Sequence, residues 1–80
     1  MLELFVVYER PRDFPHSYVL RRQQLDSVGA IIPDPLPLCV VLASHPDALA
    51  IVRRAIPWQC TRLQGPGDDP DPHIVEVWLA

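Results

Sequence analysis

The residues best equipped for chemistry lie between Tyr8 and Arg22, where Tyr8, Phe14 and Tyr18 alternate with Arg10, Arg12, Arg21, Arg22 and His16. Guanidinium groups fork onto phosphates, and aromatic rings stack on bases. Arg10, Arg12, Tyr18, Arg21 and Arg22 are therefore candidate contacts for an anion or a nucleic acid. The competing reading is a loop in which Glu9 and Asp13 pair locally with the arginines. Charge favours the second. The net charge is −3, and the chain as a whole lacks the basic excess of a nucleic-acid domain. All basic residues are arginine, which a GC-rich coding sequence explains more simply than a need for a fork at each position.

His16, His45, His73, Cys39 and Cys60 could ligate a metal, but no pair has the short spacing of a zinc motif. Cys39 sits in the most apolar run and reads as a small core residue. The acidic turn Asp68-Asp69-Pro70-Asp71 lacks the calcium-loop spacing and its distal glutamate, so a solvated turn is expected. Cys39 or Cys60 with a histidine, or Ser44-His45, are the nucleophile candidates. No G-x-S-x-G elbow surrounds them, and Gly29, Gly65 and Gly67 form no phosphate loop. We therefore expect no enzyme, no cofactor and no metal.

The elements that must position these residues alternate with proline-rich punctuation, which accounts for 10 prolines in 80 residues. Leu2–Tyr8 reads as a strand with Leu2, Leu4, Val6 and Tyr8 on one face and Glu3, Phe5 and Val7 on the other. Residues 16–25 read as a second strand joined to it by a long loop. Val28–Ile32 could be a short third strand, followed by a stiff connector, Pro33-Asp34-Pro35-Leu36-Pro37. The continuous apolar run 38–43 suggests a central strand buried on both faces. Ser44 is placed as a helix N-cap with Pro46 in the first turn. Apolar residues at helical spacing then predict a helix over about 45–56, ended by Pro57. Residues 58–63 read as a short strand and residues 73–79 as a strong one.

Tyr8-Glu9-Arg10-Pro11-Arg12-Asp13-Phe14-Pro15 near the N-terminus, with Asp68-Asp69-Pro70 and Ile74-Val75-Glu76-Val77-Trp78-Leu79 near the C-terminus, resembles a family of small uncharacterised bacterial proteins. That resemblance implies a bacterial origin and no activity.

The expected architecture is one α+β domain, residues 1–80. It has a mostly antiparallel sheet of four to five strands, ordered β-β-(β)-β-α-β-β, with one helix on one face. A composition of 49% hydrophobic and 21% charged residues suits a globular chain rather than a disordered one. No apolar run approaches a membrane span, and no basic leader precedes the first strand, so a cytoplasmic chain with reduced thiols is expected. Glu3 and Glu76 would mark a solvent face that also displays Phe5, Val7, Ile74 and Trp78, and such a patch is either an interaction site or a surface that the segment Asp26–Pro37 folds over. The expected function is a binding or interaction module that self-associates as a homodimer, or binds a protein partner, through that face. Trp78 and Phe5 would be its anchors. A nucleic-acid-binding or regulatory role for the arginine-aromatic segment is the alternative.

Overall fold

The computed structural model describes residues 2–80. The first strand, β1 (Leu2–Glu9), is β-branched and aromatic enough to hold an extended backbone, and it pairs on both sides. Its hairpin partner is β2 (Ser17–Leu25), with Leu2 opposite Leu25 and Glu9 opposite Tyr18. The connecting loop is closed by the Arg10 amide donating to the Ser17 carbonyl. Arg10 takes a left-handed φ of 49° at the start of that loop.

Along its outer edge β2 carries two short strands laid end to end. These are β3 (Ile31–Pro33), opposite Gln23–Leu25, and β4 (Cys39–Leu42), opposite Ser17–Leu20. Between them the proline-rich connector arches away, held at its feet by Asp34 N–H to Arg22 O and Leu38 N–H to Leu20 O. Proline has no N–H to give a ladder, so the arch is where one long strand is cut in two. On the other side of β1 lies β6 (Ile74–Leu79), followed by β5 (Thr61–Gln64). The order across the sheet is β3-β2-β1-β6-β5, with β4 also on β2, and every pairing among the described residues is antiparallel.

The helix α1 (Ala48–Arg54) carries the chain from the β4 edge back to β5 across one face. Ala48, Val52 and Ile56 turn inward at four-residue intervals, with Leu49 beside them. They meet Phe5, Val7, Leu20 and Val75 to form the core, flanked by Tyr18, Cys39, Val41 and Trp78.

The α+β class and the single helix on one face of an antiparallel sheet stand as expected, with six strands among the described residues. Three local expectations are corrected. The helix starts later than residue 45 and ends earlier than 56. Asp47, not Ser44, is its N-cap, without a side-chain cap bond. The Asp47 amide is instead taken by the His45 imidazole, Nδ1 at 3.0 Å, so a turn precedes the helix. The run 38–43 forms no central strand. β4 pairs only with β2, and it alternates half-buried Cys39 and Val41 with exposed Val40 and Leu42. Its unbroken apolar character comes from facing the helix on one side and open surface on the other. The third strand falls at 31–33 rather than 28–32, because Gly29, at φ 84°, forms the turn whose amide returns to Asp26 O.

Val52 is wholly enclosed, whereas Val40 keeps 41% of its surface. Truncation at the first leaves a cavity and at the second does not. We expect Val52→Ala to lower unfolding free energy by about 2 kcal/mol and Val40→Ala by less than about 1 kcal/mol, as read from urea unfolding midpoints.

Candidate functional site: the open face of the sheet

Glu76 decides which face is which. Its side chain is 0% exposed, beneath the helix and not in solvent. The Arg53 guanidinium, one turn after Leu49 on α1, reaches it as a fork, Nε lying 3.0 Å from Oε2 and Nη2 pairing with the same oxygen. The Trp78 indole N–H donates to Oε1 at 3.1 Å, and Arg62 Nη1 stands 3.9 Å away. Burial pushes the Glu76 carboxyl up, but the hydrogen bonds from Arg53 and Trp78 and the charges of Arg53 and Arg62 outweigh it. The net result lies below the ordinary glutamate value. The same pairing raises Arg53.

A bulge makes this possible. Val7 faces Glu76 and Tyr8 faces Ile74, so Val75 is the extra residue. Val75 and Glu76 consequently both turn toward the helix, while Ile74 stays on the opposite side with Tyr8.

The four expected interface residues are therefore divided. Phe5 and Val7 are buried core residues, 5% and 0% exposed, and Trp78 packs against the same core. Only Ile74 reaches the uncovered face. The surface expected to be displayed is the one the helix covers. The other face holds half-buried Leu4 and Tyr8 of β1 and Val77 of β6, flanked by exposed Leu63 of β5 and Ile31 of β3, while Val6 and Val19 on that side are buried, 3% and 0% exposed. It forms an open groove of about 540 Å³, with Gln23, Gln64 and Asp69 among its walls. A second bulge, between Arg62 and Gln64, turns both Leu63 and Gln64 into it. Gln23 Nε2 donates to the Tyr8 hydroxyl at 3.0 Å. Burial raises the Tyr8 phenol above its usual value, against the Gln23 hydrogen bond. The Gln64 Oε1 atom is buried and has no hydrogen-bond partner among the described residues.

The arginine-aromatic residues are dispersed. Tyr18 packs against the core on the helix side. Arg21 lies opposite Val6, on the groove side, and pairs with Asp13. Its neighbour Arg22 points the other way and pairs with Asp34, Nη2 to Oδ2 at 3.2 Å. Arg10 and Arg12 are exposed in the hairpin loop. Of the two acids expected to pair locally with the arginines, Asp13 pairs with Arg21, Glu9 has no ion pair among the described residues, and Arg22 pairs instead with Asp34.

His16 and His45 are exposed, and the His73 ring donates Nδ1–H to the Glu9 carbonyl at 3.0 Å. Among the described residues no three of His, Cys, Asp or Glu converge as a metal cluster. Asp68, Asp69 and Asp71 each accept a backbone N–H of their own loop, from Gly65, Asp71 and His73. Both cysteines are free and half-buried. Burial, then the charge of Glu3, pushes the Cys60 thiol up, opposite to the shift that activates a thiolate. No helix among the described residues is long and apolar enough to cross a membrane.

Compared with protein-family models, with curated proteins and with solved structures, the chain matches none. The functional reading accordingly rests on the geometry of the open face.

Glu76 titrates lower in the folded chain than in the unfolded chain, so the folded state binds fewer protons in acid. Its contribution to stability is complete above the ordinary glutamate value of about 4.5 and is lost as pH falls through the depressed folded value. In urea titrations from pH 7 to pH 2 we expect Glu76→Gln to be less stable at pH 7 and to lose less stability on acidification than the unsubstituted chain. Parallel acid limbs for the two would show that the Arg53–Glu76 pair contributes nothing.

Proposed function

We propose that this protein is a non-catalytic interaction module that associates with a second copy of itself through the open face of its sheet. One observation carries the reading: a groove whose central strands present half-buried Leu4, Tyr8, Ile74 and Val77 and whose flanks leave Leu63 54% and Ile31 58% exposed. Apolar surface of that extent gains free energy of roughly 25 cal/mol for each Å² removed from water, and contiguous patches of this kind mark association surfaces. Two such sheets stack at about 10 Å with their strands nearly aligned, the arrangement of a β-sandwich.

The edges of the sheet are poorer candidates. One edge is cut by the proline arch between β3 and β4, and the other is the four-residue β5 with Arg62 in it. Short strands, proline and charge are the features that blunt an edge against pairing. The flanks of the face, at Leu63 and Ile31, have no comparable protection.

Size-exclusion chromatography with light scattering tests the reading. The chain is expected at twice its 9.1 kDa mass at tens of micromolar, and Leu63→Glu is expected to return it to a monomer with an unchanged melting curve. A monomeric unsubstituted chain at millimolar concentration would exclude self-association.

A further inference from the structure

The floor of the groove is largely one aromatic ring. Gln23 stands opposite Leu4, four residues along β1 from Tyr8, yet its amide donates to the Tyr8 hydroxyl at 3.0 Å. The half-buried phenol therefore leans along the strand toward Leu4, across the enclosed Val6. Ile74 and Val77 continue this floor on β6, Gln64 closes a side, and exposed Leu63 and Ile31 stand as rims. The groove volume of about 540 Å³ falls within the range of about 300–1,000 Å³ that small-molecule sites occupy. A ring held flat in such a floor offers its face to a second ring or to a cation.

The wall of the groove is acidic. Asp69 is half-buried there. Its Oδ1 accepts the Asp71 N–H at 2.9 Å, and its Oδ2 has no hydrogen bond or ion pair among the described residues. Burial first, and then the charges of Asp71 and Asp69, push the Tyr8 phenol up, so both carboxylates act at the ring. Arg21 is the cation that acts on the same phenol, and Asp13 engages it. A carboxylate that a ligand covers loses water and requires a cation in exchange. An anion is repelled from this wall.

We propose that the groove binds a small organic cation, an amine carried on a flat aromatic body. The body stacks on the Tyr8 ring between the Leu63 and Ile31 rims, and the ammonium group pairs with Asp69. Every group this site uses belongs to one chain, so the site does not depend on self-association.

Calorimetric titration with tryptamine, tryptophol and indoleacetate tests the site, with the chain more dilute than self-association requires. The three compounds share an indole and differ in carrying a cation, a neutral hydroxyl or an anion. Tryptamine is expected to bind about tenfold more tightly than either analogue. Asp69→Asn keeps the oxygen that takes the Asp71 N–H, and it is expected to bring tryptamine down to the affinity of tryptophol. Asp68→Asn, in the same loop but outside the groove lining, is expected to leave the preference for tryptamine in place. Tyr8→Leu is expected to weaken tryptamine and tryptophol alike by several-fold. No binding of tryptamine, equal affinities for the three compounds, or an unchanged preference in Asp69→Asn would overturn the site. A chain that stays monomeric and binds tryptamine keeps the site and removes the self-association. A chain that dimerises when concentrated and binds no tryptamine when dilute does the reverse.

Discussion

A single short helix can cover only one face of a sheet. With seven residues α1 is about 10 Å long, and the five strands abreast span about 19 Å. The helix packs on the β4–β2 part of one side, its side chains reaching Phe5, Val7 and Val75, and leaves the other side to whatever else is available. In this chain the strands are apolar on both sides. β1 turns Phe5 and Val7 to the helix side and Leu4, Val6 and Tyr8 away from it, and of the latter Leu4 and Tyr8 stay half-buried while Val6 is enclosed. The asymmetry between one helix and two apolar faces is the feature from which the rest of the structure, and its proposed use, derives.

Which side receives the helix is fixed by an ion pair as well as by packing. Glu76 would be expensive to bury alone, and a buried carboxylate is tolerated when it is paired and hydrogen-bonded. Arg53 supplies the fork, Trp78 a third donor and Arg62 a nearby charge. The bulge at Val75 aligns that carboxylate with the helix, and it simultaneously sends Ile74 to the open face. A second bulge at Leu63 turns Gln64 toward the groove side on β5, where its oxygen has no donor among the described residues. Two single-residue irregularities in β6 and β5 therefore separate an inner, satisfied polar group from an outer, unsatisfied one.

The periodicity of the sequence made the elements legible and their sidedness only half so. Alternation in Leu2–Tyr8 correctly separates Glu3, Phe5 and Val7 from Leu2, Leu4, Val6 and Tyr8. Treating Glu3 and Glu76 as markers of solvent then assigns the wrong set to the outside. A glutamate marks water only when no counter-charge is folded over it, and Arg53, spaced four residues after the apolar Leu49, was the signal that one would be. The bulges are invisible to strict alternation, which is why Ile74 and Trp78 were placed on one face and are found on opposite ones. The apolar run 38–43 misled for a related reason: continuous hydrophobicity is expected of a strand covered twice, but an edge strand beside an open apolar face looks the same. Gln64 carried no signal at all, because its role depends on Leu63 being extruded from register.

Self-association requires the open face to meet a second copy, and the most direct measurement of that is a concentration series of backbone amide NMR spectra. Between tens of micromolar and millimolar protein, the proposed self-association predicts shifts confined to the groove-lining residues of β1, β2, β3, β5 and β6 and the β5–β6 loop, with Leu63 among them and residues 48–54 of the helix unmoved. Spectra that do not change with concentration, or changes centred on the helix or on the outer edge of β4, would contradict it.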